Sequence, residues 1–406
     1  MCKSDSRAKS SAELSDIFNL YGNSYIERNK LSLVQHKAVN AIRNCRTAAL
    51  GGNVQHCPCC GADIISYNSC RNRHCPKCQA LAKAKWLEAR QAELLPVEYF
   101  HVVFTIPHEL NFIAGYNQTL IYNILFKAAW TTIKTLGMDE KRLGGLVSML
   151  AALHTWGQNL LQHLHLHCII PGGALTDEKW ISCKQGFLFP VKVMSKIFRG
   201  IFISLLRQAY QNNELKIQGV IADFADPKIF ANLLDQLMKK DWCVYSKKPF
   251  NGAKGAVDYL AKYVYKTAIS NNRILSCDDG KVSFRWRDYS DHNKIKTMTV
   301  TADEFIRRFL THILPDGFMR IRSFGFLANS CKAKNIQQIL GFLNQDIQQD
   351  IQNIPVREKE SANELMLRLT GIDISLCPKC KTGQLQTIKT IPSFIQLKQN
   401  KYCDTS

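Results

Sequence analysis

Three histidines alternate with apolar residues along His163, Leu164, His165, Leu166, His167 and Cys168. Successive side chains of an extended chain point to opposite faces, so the imidazoles share one face and the apolar residues bury on the other. Pro171-Gly172-Gly173 then closes the strand. One histidine beside apolar residues is usually structural, but three on one face invite a metal. Imidazole is the commonest side-chain ligand, and two from one strand, His165 and His167, can grip an ion while leaving coordination positions open. Just upstream, His154, Trp156 and Gln158 share a face if their segment is extended. Should that segment pair with the histidine strand, His154 or Gln158 could complete the ligand set. Trp156 reads as a packing residue.

A second chemistry-bearing pattern lies between Gly255 and Ile269. Apolar residues at Val257, Leu260, Ala261, Val264 and Ala268 predict a helix with a buried stripe. Tyr259, Lys262, Tyr263 and Lys266 stand at i, i+3, i+4 and i+7, on a face away from that stripe. Helical tyrosines ordinarily pack. Two that avoid the apolar stripe and accompany two lysines favour phosphate chemistry, while Tyr265 belongs to neither face.

The third pattern is sulfur. Cys57-Pro-Cys-Cys60 and Cys75-Pro-Lys-Cys78 are two C-x2-C pairs separated by fourteen residues. Zinc takes four thiolate or imidazole ligands in a tetrahedron, and Cys57, Cys60, Cys75 and Cys78 supply such a set for one structural Zn²⁺. Cys59, Cys70 and His74 fall within reach of the same site, so the choice among them stays open. Arg71, Arg73 and Lys77 give this module a basic surface suited to DNA phosphates. The C-P-x-C pattern recurs at Cys377, whose partner is Cys380 and whose only near C-terminal companion is Cys403. Cys183, Cys243, Cys277 and Cys331 read as ordinary thiols.

These residues must be held by a sizeable fold, and the chain can supply one. At 406 residues it is long enough for two or three domains, and its 46% hydrophobic content allows a substantial core. Fifty-three basic against 33 acidic residues leave a net charge of +20, which points to nucleic acid. No apolar run approaches the roughly 18 residues of a membrane span, and the N-terminus has no apolar secretory core, so a membrane or secreted role is not expected. In a reducing compartment the sixteen cysteines are better read as ligands and buried thiols than as disulfides. Segments such as FHVVFTI, LVSMLAALHTW, HLHLHCII, WCVYS, VSFRW and KIKTMTV read as strands. VKVMSKIFRGIFISLLRQAY and ADEFIRRFLTHIL read as helices, the latter opened by a capping box between Thr301 and Glu304. Their irregular order predicts an α+β fold with a mainly antiparallel central sheet flanked by helices, preceded by a small zinc-binding domain. Three segments are expected: residues 1–95, helical and zinc-binding; 96–326, catalytic; and 327–406, polar with the late CPKC.

With these pieces assembled, the chain resembles the rolling-circle transposases of the insertion sequence 91 family. CRTAALGGNV, YNSCRNRHCPKCQ and FTIPHELN are similar to its zinc-binding segment and the start of its transposase domain. HTWGQ, HLHLHCIIPGGAL, FPVKVMSKIFRG and KKPFNGAKGAVDYLAKYVYKTAISNNRI are similar to its central motifs, and the likeness runs from about Cys45 to Cys380. The resemblance implies an HUH-endonuclease fold (histidine, hydrophobic, histidine), with His165 and His167 as its histidine pair and Tyr259 and Tyr263 as its two tyrosines. It also implies an enzyme that nicks and rejoins single-stranded DNA through 5′-phosphotyrosine, using Mg²⁺ or Mn²⁺ on the histidines. The expected partners are single-stranded or hairpin element ends and a target site, in a bacterial cytoplasm and on the nucleoid when bound. Leu164 stands where proline is usual, and Lys262, Tyr265 and Lys266 stand where Arg, His and Arg are common. The lysines keep the charge but not the bidentate geometry. Two other functions use the same features. A plasmid-type replication initiator or relaxase shares the chemistry, whereas a non-catalytic zinc protein would stack its tyrosines on bases and form no covalent adduct.

Overall fold

Two long antiparallel strands, Ser148–Trp156 and Gln162–Pro171, are joined by a short turn. They are central to a computed structural model that describes residues 12–247, 255, 258, 263–345 and 360–394. The chain is α+β, and every strand pairing among the described residues is antiparallel. It divides into two units, each assembled from separate stretches of sequence: Met1–Lys85, Tyr265–Ile313 and Asn353–Ser406 in the first, Trp86–Val264 and Leu314–Gln352 in the second. Residues 265–313, which the sequence reading puts in the catalytic segment, therefore pack with the N-terminal stretch.

The second unit holds a five-stranded sheet in the order Ile321–Gly325, Ser148–Trp156, Gln162–Pro171, Tyr99–Thr105, Val244–Lys247. One face is apolar: Phe100, Val102 and Phe104, Met149, Ala151 and Leu153, and Leu164, Leu166, Cys168 and Ile170 all enter one core. Two helices cover it. Gln118–Met138 buries Ile121, Tyr122, Leu125, Ala128, Ala129, Thr132, Ile133 and Leu136, the spacing of one helical face. Val191–Gln211 buries Met194, Phe198, Phe202, Leu206 and Ala209, and Phe198 packs against Phe104 at 4.9 Å between ring centroids. Burial of each Leu- or Phe-sized side chain contributes about 1.5–3 kcal/mol, so this face fixes the sheet rigidly and leaves the other free for polar work.

The first unit has a core in which helices Leu14–Arg28, Leu33–Arg43 and Ala302–Thr311 accompany a three-stranded sheet, Lys294–Thr301, Lys281–Asp288 and Ile274–Asp278. Phe18 meets Phe309 edge-on, and Phe284 meets Phe305 likewise. Ser32 and Gln35 form a reciprocal capping box at the second helix. At the third, only half of the expected box forms. Thr301 Oγ1 accepts from the Glu304 amide at 3.2 Å, but the Glu304 carboxylate is taken by Arg307 and Arg308. These two guanidiniums, Arg307 foremost, hold the Glu304 carboxyl down to about 2. A second sheet, Gln386–Ile391, Gly52–His56, Asp63–Tyr67, joins the C-terminal region to the cysteine-rich segment. Among the described residues no helix is long and apolar enough to cross a membrane.

Candidate active site and cysteine clusters

The sheet face opposite the core carries the histidines. His165 lies across from His154 on one neighbouring strand and from Thr105 on the other. His167 lies across from Ala152 and Val103. The register therefore brings His154, His165 and His167 together, and all three are buried. Gln158 lies past the end of its strand, in the following turn, and His163 is exposed at the start of the histidine strand. Trp156 stacks on His154 with centroids 4.8 Å apart, the packing role expected of it.

Each histidine of the triad has one ring nitrogen engaged from outside. His165 Nδ1 lies 2.8 Å from the His163 carbonyl oxygen and His154 Nε2 lies 2.7 Å from the Tyr263 carbonyl oxygen, so each of these nitrogens donates. His167 Nδ1 lies 2.9 Å from His101 Nε2. His101 is buried, and its surroundings push its pKa down to about 4, through burial first and the Lys247 ammonium second, so the ring is neutral near pH 7. The remaining nitrogens converge, with His165 Nε2 and His167 Nε2 at 3.1 Å. His101 is the residue that sequence reasoning missed. Its strand was legible in FHVVFTI, but only the register puts position 101 beside the histidine strand.

Tyr263 completes this face. Its ring stacks on His167 with centroids 3.9 Å apart and planes 29° apart, and lies 5.5 Å from His154 and 6.1 Å from His101. Gly255, Asp258, Tyr263 and Val264 are helical, as expected, and Gln91 donates to Asp258 Oδ1 at 2.8 Å. Tyr259 and Lys262 lie outside the described residues. Lys266 does not extend the tyrosine face as the spacing predicts, because the helix ends at Val264 and a turn follows. Ala268 and Ile269, beyond the helix end, are buried.

The cysteines correct the expected ligand set. Cys57 and Cys60 do not meet Cys75 and Cys78 at one point. The four are divided between two clusters: Cys45, Cys70, Cys75 and Cys78 in one, Cys57, Cys60, Cys377 and Cys380 in the other. In the first, Cys78 Sγ lies 3.2 Å from Cys45 Sγ and 3.6 Å from Cys70 Sγ. The reason is sheet pairing. The turn 57–62 joins strands Gly52–His56 and Asp63–Tyr67, and Gln386–Ile391 pairs along Gly52–His56, which brings Cys377 and Cys380 alongside. Cys70 was among the open alternatives; Cys45 had no spacing signal at all. Cys59 and His74 belong to neither cluster. Of the three basic residues proposed for DNA, Arg71 is exposed, Arg73 is half-buried, and Lys77 is ion-paired with Glu13.

Comparison with known proteins places the sequence in a family. Residues 17–106 match the family described as "Transposase zinc-binding domain", and residues 148–334 match the one described as "Putative transposase". The chain is 44% identical over 385 residues to the protein named "Putative transposase y4qJ" of Sinorhizobium fredii, covering 94% of this chain and 96% of that one. The chain belongs to the insertion sequence 91 family of transposases. This transposase is also 28% identical over 312 residues to the transposase for insertion sequence element IS801 of Pseudomonas savastanoi pv. phaseolicola, over 75% of this chain and 73% of that one. No solved structure matches it. It is accordingly a DNA-processing enzyme with a zinc-binding domain, and its net charge of +20 suits that substrate.

The donor sets of the transposase fit metals of different use. Sets of four thiols suit a closed structural zinc, whereas three imidazoles leave coordination positions open for substrate. Nitrogens about 2.1 Å from one ion and at right angles to each other stand about 3 Å apart, as the His165 and His167 Nε2 atoms do.

Proposed function

We propose that this transposase nicks and rejoins single-stranded DNA through 5′-phosphotyrosine intermediates, in transposition of the rolling-circle type, on an HUH-endonuclease-like sheet. The observation that carries this reading is the Tyr263 ring laid against His167 at the edge of the imidazole triad. His165, His167 and His154 would hold Mg²⁺ or Mn²⁺, with nitrogen ligands favouring Mn²⁺, and the outer hydrogen bonds to His163, His101 and Tyr263 would fix their orientation. Bound there, a divalent cation neutralises a non-bridging phosphate oxygen and so lowers the barrier to attack on an anionic diester.

The tyrosine oxygen forms a bond to phosphorus as the bond from phosphorus to the 3′ oxygen breaks. The phenolic proton passes to solvent, and the departing oxygen takes up a proton to become a 3′-OH. Rejoining reverses these steps: a 3′-OH attacks the phosphotyrosine and the phenol regains its proton. The bond energy is conserved, and no ATP is needed. A phenol with an ordinary pKa near ~10 is a weak nucleophile, and a neighbouring cation such as Lys262 favours its anion. Tyr259, four residues before Tyr263 in sequence, would hold one strand while the other is cut.

The double variant Tyr259→Phe/Tyr263→Phe tests the reading. With a single-stranded oligonucleotide bearing an element end and Mn²⁺, the wild type is expected to form a covalent adduct and the variant none, while both bind DNA. Cleavage at the wild-type rate by the variant would make water the nucleophile and overturn the proposal. Binding is expected to favour single strands or hairpins over random duplex, and to weaken steeply with salt, as counterion release requires.

A further inference from the structure

Cys57, Cys60, Cys377 and Cys380 come from distant parts of the chain, Cys57 and Cys380 standing 323 positions apart. The Sγ atoms of Cys57 and Cys380 are 3.7 Å apart, and so are those of Cys60 and Cys377. A disulfide needs about 2.05 Å, so these are not bonded pairs. Four sulfurs each about 2.3 Å from a central zinc stand about 3.8 Å from one another. The spacing is that of an ion's coordination shell.

The backbone around the sulfurs is built twice in the same way. Cys57 N–H donates to the Ala62 carbonyl at 3.0 Å, and Cys377 N–H to the Gly383 carbonyl at 2.8 Å. Gly61 N–H returns to the Cys57 carbonyl at 2.9 Å, and Lys381 N–H to the Cys377 carbonyl at 2.8 Å. The residue after each second cysteine is left-handed, Gly61 at φ 68° and Lys381 at φ 62°. A lysine in that region is held against its own preference, so the surrounding turn fixes it. Gly383 donates its amide to Cys380 Sγ at 3.3 Å, a contact that stabilises a thiolate. A Cβ on Gly383 would lie 2.5 Å from Cys57 Sγ and 2.6 Å from Cys59 Cβ, so only glycine allows this approach.

We propose that Cys57, Cys60, Cys377 and Cys380 bind a second zinc ion, separate from one held by Cys45, Cys70, Cys75 and Cys78, which fastens the C-terminal strand to the cysteine-rich hairpin. Zinc bound to preformed knuckles on both segments offsets the entropy of closing so long a loop, which a strand pair of six residues against five would otherwise meet alone. The Gln386–Ile391 strand is thereby a structural part of the zinc-binding module rather than a polar tail.

Zinc content of the full chain, purified without chelator, tests this. Relative to wild type, Cys377→Ser/Cys380→Ser is expected to lose one zinc equivalent, Cys75→Ser/Cys78→Ser another, and the combined variant two. Unchanged zinc in Cys377→Ser/Cys380→Ser would overturn the proposal. Because either double variant could unfold the module, the wild type supplies a second measurement by native alkylation and mass spectrometry. Cys59 and Cys60 are both exposed, so burial protects neither. Cys60, Cys377 and Cys380 are expected to alkylate at least about ten-fold more slowly than Cys59 until chelator is added. Equal rates, or disulfides among these cysteines, would refute the site. Neither readout involves DNA cleavage, so either result leaves the tyrosine chemistry to its own test.

Discussion

In the first unit, sulfurs meet four at a time at two points, one of them joining segments more than 300 positions apart in sequence. In the second, three imidazoles stand on two neighbouring strands of one sheet, with a tyrosine ring laid against them. Each thiol cluster offers four sulfurs, enough to fill every position of a tetrahedron around zinc. The imidazole cluster sits on a sheet whose opposite face is packed by helices, and a metal held there would keep positions open for substrate. Where metal supplies the fold, ligands come from loops that need joining. Where fold supplies the metal site, ligands come from strands already rigid.

The largest effect expected from this contrast is on folding. Chelation of zinc, whose binding to small structural sites is worth roughly 10–16 kcal/mol, should abolish amide-exchange protection in 52–78 and 386–391. Protection in 148–171 and 191–211 should survive, as should that of helix Leu14–Arg28, whose Phe18 packs on Phe309 without any metal. Loss of protection in the histidine strand on zinc removal would break the distinction.

The reciprocal experiment is catalytic. His165→Ala/His167→Ala should lower single-strand cleavage by about 10³-fold or more, since cation stabilisation of the transition state is worth several kcal/mol. Affinity for DNA should change little, because the histidines lie on the sheet face opposite the apolar core and would position metal rather than the DNA backbone. Cleavage within ten-fold of wild type would remove the triad from the mechanism.

A smaller effect sharpens the picture within the second unit. His101→Ala removes the partner of His167 Nδ1 and should weaken Mn²⁺ binding about 10–100-fold, the usual cost of losing an outer-shell partner. His101→Gln, which can still hydrogen-bond His167, should recover part of that loss. Equal metal affinity in the alanine variant, measured by calorimetry, would make His101 a packing residue only. The smallest effect returns to the first unit, away from metal. Thr301→Ala should cost about 1 kcal/mol in denaturant unfolding, the worth of one helix cap, with zinc content unchanged.

Much of the histidine face was legible because it depends on alternation. His165 and His167 share a face, and Leu164, Leu166 and Cys168 enter the core, as the two-residue period requires. His154 was one of two open candidates; the register sets it across from His165, while Gln158 lies in the following turn. The helix carrying Tyr263 was legible from its apolar stripe, but its end was not. Local pattern continued to Ile269, while the helix ends at Val264. In the cysteine region, neighbours in sequence suggested one ion where the fold makes two clusters.

The sequence by itself determined which way side chains face and what chemistry they offer: imidazoles on one side of a strand, thiols in paired knuckles, an excess of positive charge, and a likeness to one transposase family. These follow from backbone period and residue type, which act over a few residues. Only the tertiary structure decided which thiols share a point, that His101 backs His167, and that residues 265–313 and the late knuckle pack with the N-terminal stretch. Those outcomes depend on strand register and on the closure of loops hundreds of residues long. The cost of such closure grows only slowly with length, so spacing along the chain carries almost no information about partners.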